Sequence, residues 1–199
     1  MNRVIMFLAV VVTGIALLGA NLATATTVQK FTVRELAEKS QTIVRAQVLD
    51  QASRWDDGRK EIYTYITLRI LESVKGAKGE TTITLRQLGG AVDNLISTVP
   101  GMPSFRRDEE VVLFLSSKDG AGYPWVMGLQ QGKYSVVTDE QGLKHVRNDL
   151  DGLITLSLDG SINEAKSTTD MPLNAFLDGI KTQLNVEGKV KVDPTTPTE

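Results

Sequence analysis

Apolar and polar residues alternate most regularly over residues 61–74. Ile62, Ile66 and Ile70 fall on one side of an extended strand, whereas Tyr63 and Tyr65 fall on the other. An apolar run at residues 42–50 precedes this segment, and a polar stretch at 51–60 separates the two. The pattern predicts two strands joined by a turn, the second of which is unusually long.

Further apolar runs predict strands at residues 81–87, 111–115, 125–127, 134–137, 144–146 and 153–158. The run at 111–115 is apolar throughout, which predicts a strand buried on both faces. Between residues 89 and 104 lies a loop that is longer than most connections. Whether the arm at 153–158 joins the other strands or stands apart is left open.

A helix is predicted near each end of the strand-rich region. Thr32 and Glu35 have the spacing of a capping box, so a short helix begins there. Pro172 stands at a favourable first-turn position, and apolar residues recur at helical spacing from Leu173 to about Leu184. Because a long strand usually bends around a small barrel, we expect a mainly β fold: a small closed β-barrel with a short N-terminal helix and a C-terminal amphipathic helix.

The first 25 residues have the three parts of a secretory signal. Arg3 is followed by an apolar run at 4–18 and by small residues at 23–25. We expect cleavage after Ala25 and export to the periplasm or beyond the cell; the alternative is an uncleaved membrane anchor. The predicted organisation is a signal peptide at 1–25, a single barrel domain with its C-terminal helix at 26–185, and a disordered tail at 186–199.

The amino-acid composition excludes several classes of function. The 199 residues include no cysteine and one histidine, and the formal net charge is −2. Disulfides, thiolate metal ligands and multi-histidine zinc sites are therefore excluded. The charge balance provides no basic field for nucleic acid or anionic lipid. We expect no cofactor, no metal, no nucleic acid partner, no membrane association after signal cleavage, and a monomer.

The order of these pieces resembles the netrin-like domain, the OB-type barrel of the tissue inhibitors of metalloproteinases. The resemblance implies that the predicted closed β-barrel is OB-like. The matching parts are residues 43–48, 63–68 with Lys75-Gly76, and 110–115. The chain is also similar to a group of cysteine-free bacterial secreted proteins of unassigned function that carry the Lys-Gly, Pro-Gly-Met-Pro and Val-Leu-Phe-Leu pieces. The resemblance covers about residues 31–137.

The resemblance implies a proteinase inhibitor or proteinase-associated factor, but one feature departs from it. In the animal inhibitors an N-terminal cysteine presents its amine and carbonyl to the catalytic zinc. Here the predicted mature N-terminus is Thr26, and no cysteine is present. A free α-amine at Thr26 can still coordinate a metal, although ordering an unclamped end costs entropy.

Three motifs suggest chemistry, and each has a simpler interpretation. Asp56-Asp57 has the form of a carboxylate pair, but with Gly58 beside it a solvated turn is favoured. His145 has no acid or nucleophile placed around it by spacing, which favours a surface or strand-edge histidine. The acidic stretch at 148–152 lacks the acid that a calcium loop needs at its twelfth position, which favours an acidic turn.

We therefore expect a non-catalytic binding module for a protein or peptide. Its surface is placed on the loops 51–60 and 88–104, with contacts from Trp55, Pro100, Gly101 and Met102, and from Thr26 at the N-terminus. Trp55 either anchors an interface or folds back over the barrel mouth. The alternatives are an envelope hydrolase that uses carboxylates and hydroxyls in the barrel mouth, and a structural envelope component.

Overall fold

The fold is built on a seven-stranded sheet. The computed structural model describes residues 27–150, 153–157, 159–167 and 170–190, so the predicted signal peptide, Thr26 and the last nine residues of the predicted tail (191–199) lie outside the described residues. In chain order the elements are β1 (Thr27–Gln29), α1 (Val33–Lys39), β2 (Thr42–Trp55), β3 (Ile62–Lys75), β4 (Thr82–Leu88), β5 (Gly90–Val92), β6 (Leu95–Ser97), β7 (Glu110–Leu115), a 3-10 turn (Leu129–Gly132), β8 (Lys133–Thr138), β9 (Lys144–Arg147), β10 (Ile154–Leu156), β11 (Ile162–Glu164), β12 (Met171–Pro172) and α2 (Leu173–Val190).

The strands form three sheets. The large one has the order β12-β9-β8-β7-β2-β3-β4, and all of its neighbouring strands are antiparallel. β5 and β6 form a separate hairpin. β10 pairs with β11 and, in parallel, with β1, so the arm predicted at 153–158 stands apart from the large sheet.

The sheets are not closed into a barrel, so the prediction of an OB-like closed β-barrel is wrong. β12 and β4 are the two edges of the large sheet, and no pairing within the described residues joins them. β2 and β3 are long and β2 carries register shifts, but the two strands pair with each other along nearly their whole length instead of exchanging partners. The two helices cover one face of the sheet, and loops cover the other. The apolar surface of the sheet is therefore buried although the sheet does not close into a barrel. A mainly β chain with two helices is confirmed.

Two apolar cores lie on opposite faces of the sheet, and β7 contributes to both. Leu113 belongs to one core, with Phe105 and Val126 from the loops on either side of β7 packed there. Phe114 belongs to the other core, beneath the helices. Residues 111–115 are all fully buried, which confirms the predicted strand with two buried faces.

Both helices cover the same face of the sheet. α1 begins at the predicted capping box, in which Glu35 N–H donates to Thr32 Oγ1 at 3.2 Å and Thr32 N–H donates to the Glu35 carboxylate at 2.8 Å. α2 follows Pro172 as predicted and ends at Val190, beyond the expected position. Its buried stripe is the predicted one and consists of Leu173, Phe176, Leu177 and Ile180.

Two local predictions differ from the structure. The segment 125–127 is not a strand, because only Val126 forms a single bridge, to Leu115. The long loop after β4 is not irregular throughout, since it contains the β5–β6 hairpin. That hairpin positions the candidate site.

Candidate binding groove beside Trp55

An open groove of about 270 Å³ lies between the end of β2 and the β5–β6 hairpin. Trp55 and Leu88 line it together with Leu95 and Ile96 of β6. The side chains of Leu95 and Ile96 are 57% and 81% exposed, whereas most large apolar residues of the described chain are buried. Apolar groups clustered in this way on a surface are typical of an interaction site. We call this the Trp55 groove.

The polar turn after β2 fixes Trp55 at the end of its strand. Asp56 Oδ1 accepts hydrogen bonds from the backbone N–H groups of Lys60, at 2.6 Å, and Glu61, at 3.1 Å. Asp56 N–H in turn donates to Glu61 C=O at 2.8 Å. These hydrogen bonds lower the pKa of the Asp56 carboxyl group, and the bond from the Glu61 backbone has the largest effect. Asp56 therefore closes a turn, in agreement with the interpretation of Asp56-Asp57 as a solvated turn.

A pair of hydroxyls anchors the hairpin beside Trp55. Ser53 Oγ and Thr64 Oγ1, on adjacent strands, lie 2.9 Å apart, and Thr64 Oγ1 donates to Gly89 C=O at 2.7 Å. Gly90 has φ +137°, and a Cβ at this position would lie 2.3 Å from both hydroxyl oxygens. Only glycine allows this approach, so Gly90 sets the position of the hairpin against β2 and β3.

The outer edge of β6 offers backbone groups as well as side chains. Val92 pairs with Leu95 across the two-residue turn, so these two residues exchange hydrogen bonds. The next pair, Ala91 and Ile96, therefore directs its N–H and C=O groups away from the partner strand. No loop hydrogen bond in the described chain reaches the backbone of Ile96.

The structure separates the predicted contact residues. Trp55 lines the groove, but Pro100, Gly101 and Met102 do not. Gly101 packs against the 3-10 turn instead. Its C=O accepts from Gln130 N–H at 3.0 Å, and a Cβ added at Gly101 would lie 3.1 Å from Leu129 Cδ1. Thr26 lies outside the described residues.

Sequence reasoning missed Leu95 and Ile96. The signal was present: Asp93-Asn94 stands between the apolar dipeptides Ala91-Val92 and Leu95-Ile96, which is the pattern of a two-residue hairpin. The hairpin lay within a segment interpreted as one long loop, so its exposed apolar residues were not considered.

The most enclosed charged cluster is arranged as an ion pair. Lys133 Nζ lies 2.6 Å from Glu109 Oε1, and Ser135 Oγ donates to the same oxygen at 2.6 Å. Burial alone would raise the pKa of Glu109, but the hydrogen bonds from Lys133 and Ser135 lower it. A nucleophilic serine needs a base that takes its proton. Here Ser135 donates to a carboxylate that Lys133 already neutralises, an arrangement that fixes β8 beside the segment preceding β7.

The single histidine lies beside an acid that spacing did not indicate. His145 Nε2 is 2.9 Å from Asp139 Oδ2, and this contact lowers the pKa of Asp139 after the larger effect of the Leu143 N–H bond. Within the described residues, no group of three histidine or acidic side chains could hold a metal ion. In the predicted acidic turn at 148–152, Asn148 is buried, and Asp151 and Gly152 lie outside the described residues.

Comparisons with family models, with curated proteins and with solved structures found no match to this chain. The resemblance to netrin-like domains therefore stays a prediction, whereas the closed barrel that it implies is wrong. In the part of the chain that the structure describes, no helix has both the length and the apolar character needed to cross a membrane.

Proposed function

We propose that this chain is a non-catalytic binding module that receives an extended peptide segment of a protein partner in the Trp55 groove. The observation that carries the proposal is the exposure of Leu95 and Ile96, 57% and 81%, directly beside Trp55. Exposed aliphatic side chains next to an aromatic anchor are typical of the centre of a protein interface. Export, which the N-terminal sequence predicts, is part of the same proposal.

The backbone geometry favours an extended occupant over a helical one. β6 is an edge strand, and Ile96 directs its N–H and C=O outward. A peptide can add a strand to such an edge through main-chain hydrogen bonds, while alternate side chains enter neighbouring pockets. Trp55 and Leu88 would then receive the apolar side chains of the peptide on the groove side.

The charges at the groove favour a peptide with both signs. Lys60 and Glu61 line the same groove, so an acidic and a basic residue of the partner each meet an opposite charge. Such rim charges act mainly on specificity and association rate. The apolar contacts supply the affinity.

The test uses the immobilised protein to select binders from a library of random peptides. Selected peptides should be rich in β-branched and aromatic residues. Trp55→Ala and Ile96→Asp should each weaken their binding about tenfold or more, since each change removes or charges a central apolar contact. Leu143→Asp is the matched control, because Leu143 is 63% exposed and lies outside the groove.

The backbone contribution is tested separately. Ile96→Pro removes the outward N–H, so it should weaken binding further than Ile96→Ala does. Bound peptide should also slow amide hydrogen exchange at Ile96. Equal loss with Leu143→Asp and Ile96→Asp, or unchanged exchange at Ile96 in the complex, would overturn the proposal.

A further inference from the structure

A second cavity, of about 550 Å³, lies where the small β1-β10-β11 sheet meets the large sheet, and it shares no lining residue with the Trp55 groove. Residues 30–33 before and at the start of α1, Tyr134 of β8, and residues 163–166 line it. It is about twice the volume of the Trp55 groove. Its size is that of a pocket for a small organic molecule.

Three buried polar side chains line this cavity: Gln131, Tyr134 and Asn148, each 3% exposed. Gln131 uses all of its hydrogen-bonding groups within the protein. Its Oε1 accepts from Phe31 N–H at 2.8 Å, and its Nε2 donates to Gln29 C=O at 2.9 Å and Gly128 C=O at 3.2 Å. Gln131 therefore builds the wall of the pocket.

Tyr134 differs from Gln131. Its ring contacts Phe114 and Phe176, with ring centroids 5.9 Å and 4.6 Å away, but no group of the described chain forms a hydrogen bond with its hydroxyl. The hydroxyl oxygen is not one of the fully enclosed atoms without a partner in the described chain, so it is accessible from the cavity that Tyr134 lines. Burial raises the pKa of Tyr134 to about 12, so the hydroxyl is a neutral donor at physiological pH. An acceptor atom of a ligand is the partner that fits it.

The charged side chains at the cavity favour an anion. Lys30 and Lys166 both line it, and neither lies within ion-pair distance of an acid that the structure describes. Lys30 is near enough to Asp159 to add to the effect of the Ser161 hydrogen bonds, which lower the pKa of that carboxyl group. Glu164 is the acid on the same lining, which leaves one positive charge in excess. Phe31 and Leu150 provide the apolar part of the wall.

We propose that this pocket binds a small organic anion, with an acceptor oxygen on the Tyr134 hydroxyl, a carboxylate or phosphate group near Lys30 and Lys166, and an apolar body against Phe31. This site is separate from the Trp55 groove and does not depend on the function proposed for it. Loss of peptide binding and loss of anion binding are thus distinguishable results.

The test measures binding of benzoate to the purified protein by ligand-observed NMR, with benzamide as a neutral ligand of the same shape. Benzoate should bind and benzamide should bind at least threefold more weakly. Phenyl phosphate replaces benzoate in a parallel titration. Tighter binding of phenyl phosphate than of benzoate, with the same dependence on the variants below, supports the anion site and assigns a phosphate group to its ligand.

Tyr134→Phe tests the hydroxyl alone, because the ring keeps its packing. Benzoate binding should weaken about tenfold, as expected for a lost hydrogen bond to a charged group, while the Tm of the free protein stays within about 2 °C. Changing Lys30 and Lys166 together to glutamine should weaken binding about threefold to tenfold. Tyr123→Phe, which removes a hydroxyl in the loop between β7 and β8, is the matched control.

Several results would overturn the inference. They are equal binding of benzoate and benzamide, unchanged benzoate affinity in Tyr134→Phe, the same loss in Tyr123→Phe as in Tyr134→Phe, and no binding of either anion. A large fall in the Tm of Tyr134→Phe would show that the hydroxyl has a partner within the protein, which also overturns it.

Discussion

Lys181 Nζ lies 2.7 Å from Glu72 Oε1, so an ion pair joins α2 to β3. The contact is one end of a longer series. Glu72 also lies 3.6 Å from Arg45, Arg45 Nε lies 2.7 Å from Glu110 Oε1, and Lys144 Nζ lies 2.5 Å from Glu110 Oε2. Alternating charges therefore connect α2 with β3, β2, β7 and β9 on the face that the helices cover.

Glu110 should be the most sensitive member of this series, because its two cations lie on average closer than the two that Glu72 contacts, and its side chain is less exposed. We expect Glu110→Gln to lower the free energy of unfolding by about 1–3 kcal/mol at pH 7, since Arg45 and Lys144 lose their common partner. Chemical denaturation with urea measures the change. Glu80→Gln removes the same charge from an exposed position and should change stability by less than about 0.5 kcal/mol. Equal effects of the two substitutions would show that the series does not stabilise the fold.

Asp119 organises the loop between β7 and β8. Its carboxylate accepts from the N–H groups of Ala121 and Tyr123, from the indole N–H of Trp125 at 2.9 Å, and from Arg86 at 2.6 Å. Burial alone would raise the pKa of Asp119, but the hydrogen bonds from Tyr123, Trp125 and Arg86 outweigh it and lower the pKa to about 2.

The lowered pKa predicts a loss of stability in acid. A carboxyl group with a folded-state pKa below its unfolded value stabilises the protein above the unfolded value, here about 3.8, and loses that contribution as the pH falls to about 2. Asp119→Asn should therefore be less stable than the parent at pH 7, by about 1–3 kcal/mol, and should lose less stability between pH 4 and pH 2. Thermal unfolding across this range measures both. Parallel pH profiles for the two proteins would contradict the assignment.

The longest elements of this fold could be predicted from the sequence, but several short strands and the arrangement of the sheets could not. The alternation at 62–70 and the spacing of Leu173, Phe176 and Ile180 are local patterns, and each led to the correct element. Closure depends on whether the outer strands meet, and no local pattern encodes that. The apolar stripe of α2 matches an open sheet face as well as it matches a barrel.

Phe176 should make the largest single contribution to holding α2 on the sheet. Its ring lies against Tyr134 and Phe114, with centroids 4.6 Å and 6.3 Å away. Phe176→Ala should lower the free energy of unfolding by about 3–5 kcal/mol, because the cavity is enclosed by two other rings. Asn174→Ala, at an exposed position of the same helix, is the control and should have little effect. A loss below about 1 kcal/mol for Phe176→Ala would mean that α2 docks independently of these rings.

Substitutions at three glycines allow the cost of backbone strain to be measured apart from the cost of steric overlap. Gly120 has open space and an ordinary φ, Gly79 has open space with φ +85°, and Gly90 has both φ +137° and close neighbours. Substitution by alanine should cost less than about 0.5 kcal/mol at Gly120, about 1 kcal/mol at Gly79 and about 2–5 kcal/mol at Gly90. Urea denaturation of the three variants tests the order. Equal costs at Gly79 and Gly90 would show that the Ser53–Thr64 hydroxyl pair does not restrict the hairpin.

Only part of the candidate site could be predicted from the sequence. Trp55 was recognised because an aromatic residue stood out in a polar segment, and it does line the groove. The sequence groups Pro100, Gly101 and Met102 with Trp55 because they lie in the loop 88–104, but a loop of that length reaches two different places. Tyr134 had no distinguishing pattern, since its unpartnered hydroxyl depends on tertiary packing.

The parallel pairing of β1 with β10 also affects the order in which the chain can fold during its synthesis. Gln131 bonds to Gln29 across a separation of 102 residues, so the N-terminal strand emerges from the ribosome long before its partners exist. At bacterial or eukaryotic rates of synthesis that interval is on the order of ten seconds. The β2–β3 ribbon joins segments that are adjacent in the chain and can form during this time, because nearby segments meet at small entropic cost. The anion pocket can thus form only after residue 166 has been synthesised, and a ligand can bind there only once β1, β10 and β11 have assembled.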